Sequence, residues 1–250
     1  MITRNVVELD LQTERLVADY LKNNMDLFIA SGSSRAVFTV DDGLAKILGH
    51  SFDDCVIKMS LGLGGYRQSK LEYNTYMENP DAPLADILAR GSVFTVMEYV
   101  DTDYYFYEFY DEFNCDAFDY VSYQDEDDRP IEEREADERF QERVAEMEVV
   151  ADVIWQLCNI FGETSDNCQL GKNACGDYVA YDYGFRCGIL AREQMTRTSD
   201  YFSYSDDDTQ EFFDLLISGI DEAIALGQTS MGEAEFETIE HNFVDFAEKE

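Results

Sequence analysis

The sequence predicts an α+β fold in which a small antiparallel sheet with one inserted helix precedes a mostly helical half. Short β-type segments separated by Gly, Ser and Asp turns fill residues 27–100. After Pro130, apolar side chains recur every three to four residues as far as Phe161, which is the period of a helix with one buried face. We expect a sheet part at 1–100, an acidic, aromatic-rich insert at 101–138 and a reduced helical part with an acidic tail at 139–250.

Charge is the most unusual compositional feature of the chain. It has 54 acidic and 18 basic residues among 250, which gives a formal net charge of -36. Nucleic acids and anionic membranes both present phosphates, so this charge excludes direct binding to either class. The partner class that remains is a basic protein surface.

The hydropathy pattern contains no segment with the roughly 20 apolar residues that a membrane helix needs. No charged-then-apolar leader with a cleavage site is found either, so we expect a cytoplasmic protein. The six cysteines include no Cys-x-x-Cys pair, which predicts free thiols and not a metal cluster.

The first 60 residues predict strands and turns around one helix. Thr13 is placed to cap a helix that runs to about Lys22, because apolar residues follow at helical spacing. Clusters of Gly, Ser and Asp mark turns at 31–35 and 41–43. The predicted strands lie at 6–11, which could equally lead into the helix, and at 27–30, 36–40 and 54–60.

One helix and two strands complete the predicted sheet part. A glycine-rich link at 62–65 leads into a helix over 67–77, and Pro80 and Pro83 end that helix. Residues 84–88 and 92–100 predict two more strands, and the second of these is the most apolar in the chain.

The composition changes abruptly after the predicted sheet. Sixteen acids and two arginines fall between Asp101 and Glu138, and ten aromatic residues fall between Tyr104 and Tyr123. Aromatic side chains that stack on nucleic-acid bases are accompanied by basic residues, so a small apolar core under an acidic cover is the favoured interpretation.

Two helical patterns follow the insert. The first begins at Pro130 and ends near Gly162. The second opens with a capping-box pattern of Asp208 and Glu211 and closes at Gly227.

The segment between the two helical patterns carries candidate metal ligands. A polar loop with Asp166 and Asn167 precedes a strand over 178–181, and that strand leads directly to Asp182. Oxygen ligands on a loop and on a strand end are how a protein holds a hard cation such as Mg²⁺ against phosphates. Upstream, Lys58 ends a Val-Ile-Lys strand motif and Glu72 follows on the predicted helix, and this pair would complete a phosphate site.

In this order the motifs resemble the protein-kinase-like fold, in the compact and divergent form seen in small acidic proteins of bacteriophages. The similarity spans about Leu27 to Phe185. Residues 31–38 look like a degenerate glycine-rich loop in which one glycine, Gly32, is retained. The resemblance implies that Lys58 holds the α- and β-phosphates of ATP and that Glu72 pairs with Lys58.

The resemblance also assigns residues to the base and to the metal. Residues 97–100, Met-Glu-Tyr-Val, are similar to the hinge, where Glu98 and Tyr99 would bind adenine through backbone groups. Asp182 begins an Asp-Tyr-Gly sequence that looks like Asp-Phe-Gly, which makes it a Mg²⁺ ligand. Asn167, fifteen residues earlier, would be the second ligand.

The catalytic loop departs from the family pattern. With Asn167 as the metal ligand, the position of the catalytic Asp is Gly162, so Glu163 or Asp166 would have to substitute. An alternative alignment uses Asn173, with Asp166 seven residues ahead and only nine residues left before Asp182. The resemblance therefore implies a pseudokinase that binds ATP and Mg²⁺ in a cleft between two lobes.

Each of these residues also has an ordinary structural interpretation. A lysine on an alternating strand is commonly a solvated edge residue, and one acid on a helix is unremarkable in itself. Asp166 and Asn167 suit a helix-to-strand turn, and Gly32 suits a hairpin.

The charge supports a function of a different class. From Asp200 onward the chain has fifteen acids and one lysine, and the stretch 101–138 is similarly acidic. The protein could inhibit a host nucleic-acid enzyme in the host cytoplasm, by mimicking DNA or by binding a basic surface, with a vestigial nucleotide site. Solubility is the third explanation of the charge. The partner, the oligomeric state and the transfer of phosphate remain open at this point.

Overall fold

Seven α-helices and eight strands form the described part of the chain, which confirms the predicted α+β class. The structure is a computed structural model, and it describes residues 4–32, 34–49, 54–102, 117–124, 129–161, 169–183 and 210–227. The chain divides into two units. The sheet unit comprises Asn5–Tyr73, Ile87–Met97 and Arg192–Glu250, and the hairpin unit comprises Met1–Arg4, Asn74–Asp86 and Glu98–Ala191.

The sheet unit is built on a six-stranded sheet with the order β1-β5-β6-β4-β3-β2. The prediction of a wholly antiparallel sheet is wrong at one edge, because β1 pairs in parallel with β5. The pairs β2/β3, β3/β4 and β5/β6 are antiparallel. The strands are β1 (Val7–Glu8), β2 (Phe28–Ser31), β3 (Arg35–Thr39), β4 (Cys55–Ser60), β5 (Ile87–Arg90) and β6 (Phe94–Glu98).

Two helices near the N-terminus begin at aspartate caps. In α1 (Leu11–Asn23), the side chain of Asp10 accepts the N–H of Thr13 at 2.8 Å, so the predicted cap at Thr13 is wrong by three residues. Helix α2 (Asp42–Leu48) occupies a stretch that begins within the predicted turn at 41–43. Its cap Asp41 accepts the N–H of Leu44 at 2.8 Å, and burial of Leu44 and Leu48 stabilises this short helix.

The main core of the sheet unit lies on one face of the sheet. Ala36, Phe38, Ile57 and Met59 alternate onto this face and are fully buried. Residues of α1, α2 and α7 (Gln210–Gly227) belong to the same apolar cluster. Helix α7 therefore groups with the sheet and not with the helical part predicted for 139–250, because Leu216, Ile220 and Ala223 are buried in this cluster.

The hairpin unit combines three helices with a two-stranded hairpin. It contains α4 (Ala117–Gln124), α5 (Ile131–Glu135), α6 (Glu138–Phe161), β7 (Gln169–Lys172) and β8 (Tyr178–Asp182). Of the predicted apolar positions of α6, four are buried and two are partly buried: Phe140, Val144, Ile154 and Leu157, and Met147 and Ala151. Val150 and Val153 are also buried. None of the helices in the described ranges is both long and apolar enough to cross a bilayer.

The single helix predicted from Pro130 is interrupted, and a strand that was not predicted follows it. The interruption falls at Ala136 and Asp137, where the Asp137 side chain accepts the N–H of Arg139 at 3.0 Å and so competes with a continuous helix. Strand β7 has a polar sequence and forms by antiparallel pairing with β8. Gly171 lets β7 also lie close to the segment at Asp101, since a Cβ there would lie 2.4 Å from the carbonyl oxygen of Asp101.

Candidate functional site

Helix α3 (Gly62–Glu78) meets the sheet through small and polar side chains. Gln68 and Ser69 are almost fully buried. The Ser34 hydroxyl donates to the Gln68 carbonyl oxygen, and the hydroxyls of Ser60 and Ser69 lie 2.9 Å apart. Hydrogen bonds therefore position this helix, whereas apolar packing dominates the opposite face of the sheet.

Gly65 brings the backbone of α3 into contact with the sheet. A Cβ at this position would lie 2.1 Å from the carbonyl oxygen of Ser34 and 2.9 Å from the Cα of Ser60. Any side chain here would push the helix away from the sheet. This contact therefore sets the distance between the sheet and the following turns of α3.

A buried group of three charges lies about two turns further along α3. We call Arg35, Lys58 and Glu72 the charge triad. Glu72 Oε1 lies 3.0 Å from the Nζ of Lys58, and Glu72 Oε2 lies 2.6 Å from the Nη1 of Arg35. Glu72 is fully buried, and both cations are nearly so. Both oxygens of the carboxylate thus accept charge-assisted hydrogen bonds.

The strand register explains why the two cations meet the same carboxylate. Val37 pairs with Lys58 and Arg35 pairs with Ser60, so the side chains of Arg35 and Lys58 emerge on the same face of adjacent strands. That face is covered by α3. The structure therefore brings together Lys58 and Glu72, the two residues that the sequence suggested for a phosphate site.

The charge triad keeps Glu72 ionised although it has no access to water. Burial by itself would raise the pKa of Glu72, but the charges of Arg35 and Lys58 and the hydrogen bonds from both outweigh burial and lower the pKa. Ionised Glu72 in turn holds both cations in place.

Arg35 is the member of the triad that the sequence did not reveal. Arg35 lies in the segment 31–38, which resembles a glycine-rich loop, and the resemblance gives this residue no role. The available signal was its strand alternation with Val37, but the register against Lys58 was needed to place both residues on one face.

Gly32 lies at the end of the β2–β3 hairpin loop. Its N–H donates to the carbonyl oxygen of Arg35 at 2.9 Å, and a Cβ at Gly32 would meet nothing within 4 Å. Neither crowding nor a left-handed backbone requires glycine here. The adjacent Ser33 lies outside the described residues.

Glu98 and Tyr99, the predicted adenine-binding residues, lie in the hairpin unit. Glu98 exchanges two hydrogen bonds with the backbone of Asp86: its N–H donates to the Asp86 carbonyl at 2.9 Å, and its Oε1 accepts the Asp86 N–H at 2.8 Å. Burial raises the pKa of Glu98, and the charges of Asp86 and Asp177 add to this. Tyr99 follows with its side chain half exposed.

Asp182 is the last residue of β8 and is partly buried. Across the hairpin it pairs with Gln169, and the next residue, Tyr183, donates its hydroxyl to the carbonyl oxygen of Ala85 at 2.9 Å. The N–H of Ala85 donates to the carbonyl oxygen of Ala180 at 2.8 Å and the N–H of Ala180 donates to that of Pro83 at 2.9 Å, which holds the strand in place. Glu163, Asp166 and Asn167 lie outside the described residues.

The donor chemistry of Asp182 suits a hard cation, since Mg²⁺ prefers carboxylate oxygen. Within the described ranges, however, no group of three or more His, Cys, Asp or Glu side chains could hold a metal ion. A Mg²⁺ ion bound at Asp182 would therefore need oxygen atoms from residues outside those ranges or from a ligand such as a triphosphate.

No protein-family model, curated protein sequence or solved structure matches this chain. Functional inference therefore depends on the residues and their geometry.

Proposed function

We propose that this protein binds ATP with Mg²⁺ through a kinase-like site and acts as a pseudokinase. The observation that carries the proposal is the charge triad, in which buried Glu72 orients Lys58 at 3.0 Å. The order of elements also supports it. Apart from α2, which lies between β3 and β4, three antiparallel strands, the helix with Glu72 and two further strands follow one another as the resemblance implies.

The chemistry of the triad favours an anionic ligand. Two cations share one carboxylate at a position that is nearly closed to water. The three side chains together carry a net charge of +1, because two cations share one carboxylate. Phosphate oxygens are strong acceptors for both ammonium and guanidinium groups.

The remaining parts of the proposal follow the resemblance. Asp182 and Asn167 would provide oxygen ligands for the Mg²⁺ that accompanies ATP, and the segment with Glu98 and Tyr99 would bind the base. Gly162 stands where the family has its catalytic Asp. We therefore expect nucleotide binding without efficient phosphotransfer, unless Glu163 or Asp166 orients the acceptor hydroxyl.

A thermal-shift titration with ATP and MgCl₂ tests this function. At 100 times its dissociation constant, a ligand adds about 2.7 kcal/mol of stability, which raises Tm by roughly 5–10 °C for a chain of this size. Lys58→Met and Asp182→Asn should abolish the shift. The matched controls are Lys46→Met on α2 and Asp152→Asn on α6, because they change the charge equally at exposed positions.

Two outcomes would count against nucleotide binding. One is an absent shift in the native protein. The other is a shift that persists in Lys58→Met and Asp182→Asn at the size seen in the controls.

A second candidate function, recognition of a basic protein surface, is favoured by the net charge of -36. Mimicry of DNA receives less support from the described residues. Helix α6 carries five acids and two arginines in 24 residues. Over its length of about 36 Å, duplex DNA would present roughly 21 phosphate charges. The acids of α6 are thus too sparse to imitate a duplex but suit contacts with individual basic side chains.

A further inference from the structure

A groove of about 530 Å³ lies within the hairpin unit, between α6 and the turn that joins β7 to β8. Pro83, Val149 and Val153 provide its apolar lining. Val149 is 52% exposed although it lies one helical turn from the buried Val153. Val149 therefore leaves an apolar side chain in water beside the concave surface.

One wall of the groove is held by a hydrogen-bonded cluster of Glu146, Lys172 and Tyr178. The Glu146 carboxylate accepts hydrogen bonds from the Lys172 ammonium and from the Tyr178 hydroxyl. The Lys172 ammonium also lies 4.7 Å from the centre of the Tyr178 ring. At neutral pH the charges of Glu146 and Lys172 offset each other, so this wall adds little net charge.

The rim of the groove is acidic. Glu142 projects from α6 and Asp177 projects from the β7–β8 turn, and both are exposed. The turn is well defined, because the Asn173 side chain accepts the N–H groups of Cys175 and Asp177 at 3.0 Å each. Two exposed carboxylates therefore lie beside the apolar lining.

We propose that this groove binds a short extended segment of a basic partner, with an aliphatic side chain on Val149 and Val153 and cationic groups beside Glu142 and Asp177. The inference rests on the second candidate function and names the surface that would perform it. The stretch of α6 along the groove, from Glu142 to Val153, is about 16 Å long, which matches roughly five extended residues.

The test measures binding of a fluorescein-labelled pentapeptide, Arg-Leu-Lys-Leu-Arg, by fluorescence anisotropy. We expect the double variant Glu142→Lys with Asp177→Lys to weaken binding about tenfold. The control, Glu148→Lys with Asp152→Lys, makes the same change in net charge at exposed α6 positions that do not line the groove. It should weaken binding less than about twofold.

The apolar floor is tested separately with the same assay. Val149→Ser should weaken binding of the leucine peptide but leave binding of Arg-Ser-Lys-Ser-Arg unchanged, because the second peptide has no aliphatic side chain to place there. Val149 is exposed, so this variant keeps the fold.

The inference is overturned if both double variants lose equal affinity, or if the native protein does not bind the leucine peptide. Polylysine then separates the two levels of the proposal. If both double variants bind polylysine equally, the protein recognises a basic surface but not through the groove. If the native protein does not bind polylysine, both the second candidate function and the groove proposal are wrong. The ATP-induced thermal shift should be the same in all of these variants.

Discussion

The protein contains two lysine–glutamate clusters that are chemically similar but differ in their access to water. In the charge triad, the side chains of Glu72 and Lys58 are 0% and 7% exposed. In the groove cluster, the side chains of Glu146 and Lys172 are 33% and 26% exposed. Each glutamate accepts hydrogen bonds from two donors, but the second donor is a cation, Arg35, in the first cluster and a neutral hydroxyl, Tyr178, in the second.

The difference in burial indicates different roles. Removing charges from water costs several kcal/mol per ion, and a buried pair recovers this only with good geometry, so such a cluster is weak support for stability. Replacement of a buried charge cluster by apolar groups of similar volume is often neutral or stabilising. Stability alone therefore does not account for the triad, and ligand binding is the role that we propose for it, whereas the cluster around Glu146 fastens β7 and β8 to α6.

The largest predicted effect is that of Glu72→Gln. The change removes the carboxylate that the two buried cations share, so we expect a loss of about 3–5 kcal/mol in unfolding free energy, measured with urea. Glu146→Gln should cost about 1 kcal/mol or less, because water reaches that cluster.

The pH dependence of the Glu72 contribution has a definite sign. The folded-state pKa of Glu72 lies below its ordinary value of 4.5, so its stabilisation is present above that value and is lost as the pH falls through the lower folded-state pKa. The difference between native protein and Glu72→Gln should therefore shrink below about pH 4.5. Equal costs for the two glutamine variants would remove the distinction between the clusters.

An intermediate effect is predicted for Gly65→Ala. Its Cβ would overlap the backbone of Ser34, so α3 must shift, at a cost of about 1–3 kcal/mol. Because α3 carries Glu72, the ATP-induced shift should fall as well. The control is Gly32→Ala, which meets nothing within 4 Å and should change stability by less than about 0.5 kcal/mol. If Gly65→Ala has the stability and the ATP-induced thermal shift of the native protein, α3 has not moved and this prediction is wrong.

A small effect, comparable with that of Glu146→Gln, is predicted for Tyr178→Phe. Removal of one hydrogen bond to Glu146 should cost about 0.5–1.5 kcal/mol near neutral pH. Burial and then the hydrogen bond to Glu146 raise the pKa of Tyr178 to about 12, from an ordinary 10.0. The stabilisation is therefore present below about pH 10 and is lost as the pH rises to about 12.

The phenolate absorbance of the native protein minus that of Tyr178→Phe isolates this titration from those of the other tyrosines. In Glu146→Gln the pKa of Tyr178 should move part of the way back towards 10, since burial remains. A Tyr178 that titrates near pH 10 in the native protein would show that the cluster does not form in solution.

Local patterns predicted the elements that have a strong period or a clear boundary. Strand β4 and helix α7 lie close to their predicted ranges, and α6 ends where it was predicted to end although it begins at Glu138 and not at Pro130. Helix α2 was missed because Asp41 caps a helix in a sequence that is also typical of a turn. Strand β7 was missed because its polar residues become a strand only through pairing with β8.

The candidate site divides in the same way. Lys58 and Glu72 were identified from their order along the chain, and the structure brings them into contact. Arg35 could not be identified, because its partner lies 37 residues away and the pairing depends on strand register. The groove was also not foreseen, since its lining comes from the segments around Pro83, Val149 and Asp177, which are distant in sequence.

By itself the sequence determined the acidic charge, the α+β class, the periodic helices and the presence of a lysine strand followed by a glutamate helix. These follow from composition and from neighbours within a few residues, which is the range over which backbone preference and side-chain periodicity act. Only the tertiary structure decided which charges meet, how deeply each is buried and which apolar side chains stay in water. Those properties depend on strand register and on the contact at Gly65, and they separate a buried charge triad from a half-exposed cluster of nearly the same composition.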